Sequence, residues 1–288
     1  MTDAPLLVVE DLRVAFDGPG GVVEAVRGIG FSMDRKERLG IVGESGSGKS
    51  MTARALMGLV PPPGRLAARR LEFDGIDLLS VGERERRSIR GRRVTMVPQD
   101  AKFAFNPVMT VGRQIVEACR AHQPASRREA RSRALAMLES VRIRDPRQVF
   151  DAYPHELSGG MAQRAMIAMM LISGPELLIA DEPTSALDVG VRSRVLEILD
   201  DLVTRRGMGL IFISHDLGLV GSFCDRVLVM YAGRIVEACR AADLERARHP
   251  YTRGLLAARP RIGGPKGELP VLERDPAWRD GPSVGDRP

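Results

Sequence analysis

The sequence predicts an α/β fold built on a parallel sheet, and three observations carry that prediction. Apolar strand-like runs at 177–180, 210–213 and 227–230 alternate with helix-forming stretches, the rhythm of βα units. A glycine-rich octet at 43–50 joins the apolar run 39–42 to a helix-forming run at 51–59. From about Thr110 to Val149 the pattern changes to helical, as in an inserted subdomain.

The elements follow in order. Runs at 6–9, 12–16 and 22–26 are rich in β-formers and are broken by Asp17-Gly18-Pro19-Gly20-Gly21. The helix after the octet is expected to end at Pro61-Pro62-Pro63-Gly64. Residues 71–75 read as a strand and turn, and 93–97 as a short strand ending at Pro98-Gln99-Asp100. In the helical stretch Val111, Ile115, Ala118 and Cys119 share one face, and Ala134, Leu135, Leu138 and Val141 another. From about 262 the chain is rich in Gly and Pro and is expected to run extended. No internal repeat is present.

With 288 residues, 44% hydrophobic and 28% charged, the chain has the composition of an ordinary globular protein with ample core. No apolar run approaches the ~18 residues of a membrane span, and the first residues lack a basic region followed by an apolar one, so a cytosolic location is expected. Cys119, Cys224 and Cys239 are isolated and odd in number, which favours inert thiols over a disulfide or metal framework. The net charge of +6 comes from an Arg-rich composition interleaved with acids, as in Glu83-Arg84-Glu85-Arg86-Arg87. With 4% aromatic residues there is little to stack on bases, so nucleic acid is not the expected partner; an anionic membrane surface suits the charge better.

Three segments carry chemistry. The octet Gly43-Glu44-Ser45-Gly46-Ser47-Gly48-Lys49-Ser50 fits the phosphate-binding pattern G-x-x-x-x-G-K-[ST], and its strand–loop–helix setting is the one such a loop needs. Its glycines let backbone N–H groups face phosphate oxygens, aided by the positive end of the following helix. Lys49 is expected to reach the β- and γ-phosphates and the Ser50 hydroxyl to ligate Mg²⁺. The second segment, at 177–183, is an apolar strand ending in Asp181-Glu182-Pro183. Asp181 is placed to bind the same metal and Glu182 to polarise the attacking water. The third, Leu157-Ser158-Gly159-Gly160, has Ser158 as the cap of a helix whose bare N–H groups form a second phosphate-binding end.

With these motifs in this order, residues 6–262 resemble the nucleotide-binding subunit of an ATP-binding cassette (ABC) transporter, whose signature is L-S-G-G-x ahead of the acidic strand. The resemblance implies a P-loop NTPase cassette: a RecA-like parallel-sheet core, an N-terminal antiparallel β subdomain, and an inserted helical subdomain at about 105–165. Residues 263–288 form the tail. It implies that ATP is held by Phe16 (stacking on adenine), Gly43, Ser45 to Ser50 and Met51, and that Mg²⁺ is held by Ser50, Gln99 and Asp181. Glu182, the switch histidine His215, Lys49 and Gln99 are the implied catalytic set. Ser158, Gly159, Gly160 and Asp188 would contact the ATP of a partner subunit in a head-to-tail dimer. A soluble nucleic-acid ATPase of the same cassette type is disfavoured, because its usual coiled-coil insertion or second cassette is missing. The guanine-reading motif of a GTPase cannot occur, because Asn106, the only Asn, is followed by Pro107.

Finer features narrow the resemblance to the dipeptide/oligopeptide/nickel importer group. They are Leu157 to Met169, the segment from Asn106 to Val111, Met230 to Glu237, and His249-Pro250-Tyr251-Thr252. Met161 resembles the first of that group's two ATPases. The resemblance implies two integral-membrane permeases, a second ATPase (a sibling or a second copy), an extracytoplasmic solute-binding protein acting indirectly, and a place on the cytoplasmic face of the membrane. The cargo is expected to be peptide, with nickel or another small solute as the alternative. Two departures stand out. Lys36 occupies a position where the group usually has Gly, and the tail lacks the cysteine cluster of many members, so no iron–sulfur centre is expected.

Overall fold

The N-terminal alternation of apolar residues folds as longer strands than the sequence marks. In the computed structural model, which describes residues 4–18, 20–185, 187–259, 275–281 and 283–284, the runs at 6–9 and 12–16 are one strand, β1 (Leu7–Gly18). A bulge between Val9 and Leu12, with Asp11 at φ 48°, shifts the side-chain parity by one residue. Leu7 and Val9 before it and Leu12 and Val14 after it therefore all reach the core. β2 (Gly21–Met33) pairs antiparallel along this strand, from Leu7 opposite Met33 to Gly18 opposite Gly21.

β3 (Arg38–Val42) leads through the octet into α1 (Lys49–Leu56). This helix ends earlier than expected from the prolines. Gly58, at φ 62°, donates to Ala55 O (2.9 Å), and Leu59 N–H donates to Arg54 O (2.8 Å), a left-handed close that ends the helix before Pro61 is reached. β4 (Arg65–Ala67) and β5 (Arg70–Phe73) each pair antiparallel with β1, and β6 (Ile76–Asp77) turns back on β5. The resulting sheet has the order β2-β1-β5-β6, with β4 on β1.

The chain divides into two compact units, Met1–Val81 with Ile211–Pro288, and Gly82–Leu210. The second holds α2 (Glu83–Ile89), β7 (Val94–Val97), α3 (Ala101–Ala104), α4 (Val111–His122), α5 (Arg127–Ser140), α6 (Pro146–Asp151), α7 (Gly159–Leu171), β8 (Leu177–Asp181) and α8 (Val189–Arg206). β7 and β8 run parallel. Val111, Ile115 and Cys119 on α4 and Ala134, Leu138 and Val141 along α5 and its end are fully buried, whereas Ala118 and Leu135 are half-buried at the edges of those faces. Ser126 starts α5 with a reciprocal capping box to Glu129. Gly112 lets α4 pack directly on Phe150 of α6, since a Cβ there would lie 2.1 Å from the ring.

In the first unit, α9 (Leu217–Phe223), β10 (Arg226–Tyr231), β11 (Arg234–Arg240) and α10 (Pro250–Ala257) follow β9 (Gly209–Ser214), which enters that unit at Ile211. The strand order there is β11-β10-β3-β9, with β10 parallel to β3 and antiparallel to β11. Gly40 on β3 admits α9, because a Cβ would meet Val220 Cγ1 at 2.2 Å. The expected extended tail lies partly outside the described residues. Within them, α11 (Ala277–Asp280) is a single helical turn, so the chain is not extended there. Among the described residues no helix is long and apolar enough to cross a membrane.

Candidate active site

The phosphate loop is built by residues that exclude side chains. A Cβ on Gly43 would sit 2.2 Å from Met230 O, and one on Gly48 would sit 2.5 Å from Ala25 O; Gly48 also takes φ 103° as the cap of α1. Both positions therefore require glycine on contact and, at Gly48, on backbone conformation as well. Gly46 takes φ 80° with open space beside it.

Lys49 is 5% exposed, and its ammonium donates to Gly43 O (2.7 Å) and Glu44 O (2.8 Å). The cation is thus held inside the loop by carbonyls of the loop itself. Ser47 N–H donates to Glu44 O (3.2 Å), and Gly233 N–H to Ser47 O (3.0 Å), which ties the loop to the β10–β11 turn. Ser45, Gly46 and Ser50 are exposed, and Met51 is half-buried.

Over the loop opens a cavity of about 810 Å³, lined by Ser45, Gly46 and Ser47, by Glu24 and Arg27 of β2, and by Arg279. Phe16 does not line it. Its ring lies against Gly64, where a Cβ would be 2.6 Å from Phe16 Cε1. Tyr251 of α10 is fully buried and reaches the loop from below, accepting from Glu44 N–H (3.2 Å) and donating to the Glu44 carboxylate (3.4 Å). Burial raises the Tyr251 pKa, so the hydroxyl keeps its proton to donate.

The second unit carries the acidic residues. Asp181 ends β8 at 6% exposure. Glu182 follows at φ 48°, a conformation that costs a non-glycine residue on the order of 1 kcal/mol. Three bonds hold this turn. Ser185 donates twice to Glu182 O, through N–H (3.2 Å) and Oγ (3.1 Å), and the buried amide of Gln163 on α7 donates to Pro183 O (2.6 Å). Gln99, exposed after β7, donates to the Glu182 carboxylate at 3.3 Å, so the structure brings these two predicted residues together.

Ser158 caps α7 as expected, its Oγ accepting from Met161 N–H at 3.3 Å, and the helix begins at Gly159. Ser158 and Gly159 are exposed, with open space around Gly159; a Cβ on Gly160 would meet Val191 of α8 at 2.6 Å. Asp188 is exposed too and caps α8, accepting from Val191 N–H at 2.9 Å. His215 is exposed directly after β9.

The cysteines take no part. Cys119 and Cys224 are buried, and desolvation pushes Cys224 up to about 12 and Cys239 up to about 11. Sequence reasoning assigned no role to Gln163, Tyr251, Arg27 or Arg279. Each bonds a partner distant in the chain, which no local pattern marks.

Comparison with known proteins gives a consistent result. The family model described as ABC transporter matches residues 26–185. Over 284 residues the chain is 45% identical to the oligopeptide transport ATP-binding protein OppD of Bacillus subtilis (strain 168), covering 98% of this chain and 79% of that one. It is 46% identical over 268 residues to the dipeptide transport ATP-binding protein DppD of Escherichia coli (strain K12), covering 93% and 82%. Among solved structures, the ATP-binding cassette MJ0796 bound to ADP and Pi shares the fold, with a TM-score of 0.72 at 24% identity over 82% of this chain and 98% of that one. The cassette cbiO1 of Clostridium perfringens matches with a TM-score of 0.71 at 25% identity, covering 85% and 92%.

Proposed function

Because the chain belongs to the ABC transporter family, as an ATP-binding subunit that hydrolyses ATP, we propose that it powers the import of dipeptides or oligopeptides through two membrane permease subunits. The cargo reading rests on the likeness to relatives named for oligopeptide and dipeptide transport. The reading of the nucleotide site rests on one observation, the loop whose Gly43 and Gly48 admit no Cβ and whose lysine is held by its own carbonyls.

The residues fit the substrate. Backbone N–H groups of Ser45 to Lys49 and the start of α1 bind the β- and γ-phosphates, and Lys49 turns from its carbonyls to those oxygens. The Ser50 hydroxyl, Gln99 and the Asp181 carboxylate are hard oxygen donors of the kind Mg²⁺ takes. When bound, that ion neutralises negative charge on the β- and γ-oxygens. Glu182 accepts a proton from water as the water oxygen bonds to the γ-phosphorus. The bond from that phosphorus to the bridging oxygen breaks, and ADP and phosphate leave. His215 donates a hydrogen bond to a γ-phosphate oxygen as charge develops there. Phe16 stacks on the adenine.

The exposed Ser158, Gly159 and Asp188 are the surface offered to the ATP of a second ATPase, either a sibling or a second copy. ATP held between two such surfaces acts as a ligand that favours the closed dimer, and hydrolysis removes it. Closure on the cytoplasmic face of the membrane is then passed to the permeases.

The test is a tagged Glu182→Gln subunit, recovered with ATP from membranes solubilised in mild detergent. Two integral-membrane proteins and an ATPase are expected to co-purify, and the reconstituted complex should show peptide-stimulated turnover when the Glu182 protein is used. Recovery of nucleic acid or ribosomal proteins alone would overturn the transport reading, and stimulation by nickel instead of peptide would overturn the cargo.

A further inference from the structure

The most informative unassigned feature is the C-terminal segment at 275–281 and 283–284, which docks on the first unit beside the phosphate loop. Trp278 of α11 packs edge-on against Tyr231 (6.3 Å between centroids), Tyr251 (6.3 Å) and His249 (5.9 Å), and Tyr231 and Tyr251 are themselves in contact at 4.6 Å. Tyr251 is the side chain whose hydroxyl bonds Glu44 of the phosphate loop. Beyond the helical turn, Val284 N–H donates to Ile235 O (2.8 Å) and Ile235 N–H donates to Ser283 Oγ (3.3 Å), an addition to the edge strand β11. In the other direction Arg27 of β2 donates to Arg279 O at 2.6 Å.

Anchored at these points, the segment places Arg279 in the wall of the 810 Å³ cavity, with Ser45, Gly46 and Ser47. Among the described residues the Arg279 guanidinium makes no ion pair, and its side chain is exposed. A fixed backbone and a guanidinium at the wall of a cavity that borders the phosphate loop are what an added phosphate ligand requires.

We propose that Arg279 is a further nucleotide-binding residue, carried to the ATP pocket by the docked C-terminal segment, where its guanidinium engages the polyphosphate chain. The proposal rests on the phosphate-loop reading. It also makes the docking of Trp278 and the occupancy of the ATP pocket report on each other, and Trp278 is the only tryptophan of the chain.

The experiment is an ATP titration of the full-length protein, followed by calorimetry and by tryptophan emission. Wild type is expected to show a saturable emission change whose Kd agrees with the calorimetric one. Arg279→Ala should weaken ATP binding by about 3- to 5-fold and Arg279→Glu by more, with Arg279→Lys near wild type. The Ala variant should also have a shallower dependence of Kd on salt, which loss of a merely structural contact would not give. Flat emission through ATP saturation with an unchanged Kd in Arg279→Ala and Arg279→Glu would overturn the proposal. So would tighter ATP binding by Arg279→Ala, which would mark the segment as an obstruction. Lys49→Ala, run alongside, separates the two levels: wild-type ATP affinity in that variant sinks the phosphate-loop reading itself, whatever Arg279 does.

Discussion

The two halves of the nucleotide machinery are held in place by different means. The phosphate loop is one continuous octet whose shape is imposed by what cannot be there, because Gly43 and Gly48 each face a carbonyl oxygen closer than a Cβ can approach. Its lysine is held within the octet, by Gly43 O and Glu44 O. The turn at Asp181-Glu182 is held by hydrogen bonds: Ser185 donates from within the turn, Gln163 and Gln99 reach it from 20 and 83 residues away, and Glu182 sits at φ 48° despite having a side chain. The loop is thus shaped by exclusion against Ala25 O and Met230 O, and the acidic turn by hydrogen bonds that restrain a strained residue. Strain at an observed outlier is where function is expected to have overruled stability.

The sharpest way to break this contrast is at Glu182. Glu182→Gln keeps the shape and removes the proton acceptor, so ATP turnover should fall by about 10²- to 10⁴-fold while ATP affinity stays within about twofold. Turnover of the purified transporter complex and calorimetry on the isolated subunit check the two parts. Wild-type turnover would remove Glu182 from the chemistry. The converse change is Gly43→Ala, which should leave the acidic turn untouched. It forces a Cβ toward Met230 O, so it is expected to destabilise the fold by about 2–4 kcal/mol and to abolish measurable ATP binding. A variant with normal denaturant stability and normal affinity would show that the loop relaxes more easily than its contacts indicate.

A smaller effect tests the distant restraint. Gln163→Leu deletes the buried donor to Pro183 O and leaves that carbonyl unpaired, at a cost of about 1–3 kcal/mol. Turnover should drop with it, because the Glu182 turn is freed, while ATP affinity at the loop stays unchanged. Equal losses in affinity and turnover would mean that the two halves are not separately built.

This contrast also explains what could be read from the chain before its fold. The phosphate loop, the capping Ser158 and the acid-ended strand are short contiguous patterns, and each stands in the structure in the local setting its pattern implies. The parallel strands were legible because they are uniformly apolar. The bulge at Asp11 was not, since it appears only as a change in which parity of residues is buried. The end of α1 was misplaced because a left-handed Gly58 closes the helix before the more conspicuous prolines. Gln163, Tyr251 and Arg279 were invisible for a common reason: each meets its partner only when the fold brings together residues 20, 207 and 252 positions apart. The Phe16 ring, expected on the nucleotide, lies against Gly64, a contact that no spacing along the chain encodes.

Lys36 gives the finest test, because it carries the same kind of strain as Glu182 without any chemistry to justify it. It stands where the resemblance to the importer group leads one to expect glycine, and it takes a left-handed turn of the kind glycine favours, at φ 64°. Neighbouring bonds hold it there: Glu37 N–H donates to Asp34 O (3.4 Å), and the Glu37 carboxylate accepts from Asp34 N–H (2.7 Å). Lys36→Gly should relieve a penalty of about 1 kcal/mol, offset in part by the greater freedom of glycine in the unfolded chain. A net gain of about 0.5 kcal/mol is expected in urea unfolding, with ATP affinity and turnover unchanged. Glu182→Gly should give a similar gain in stability but at the loss of turnover. If Lys36→Gly instead lowered turnover, the turn at Asp34–Glu37 would be part of the working machinery, and positive φ at a side-chain-bearing residue would mark function in both units.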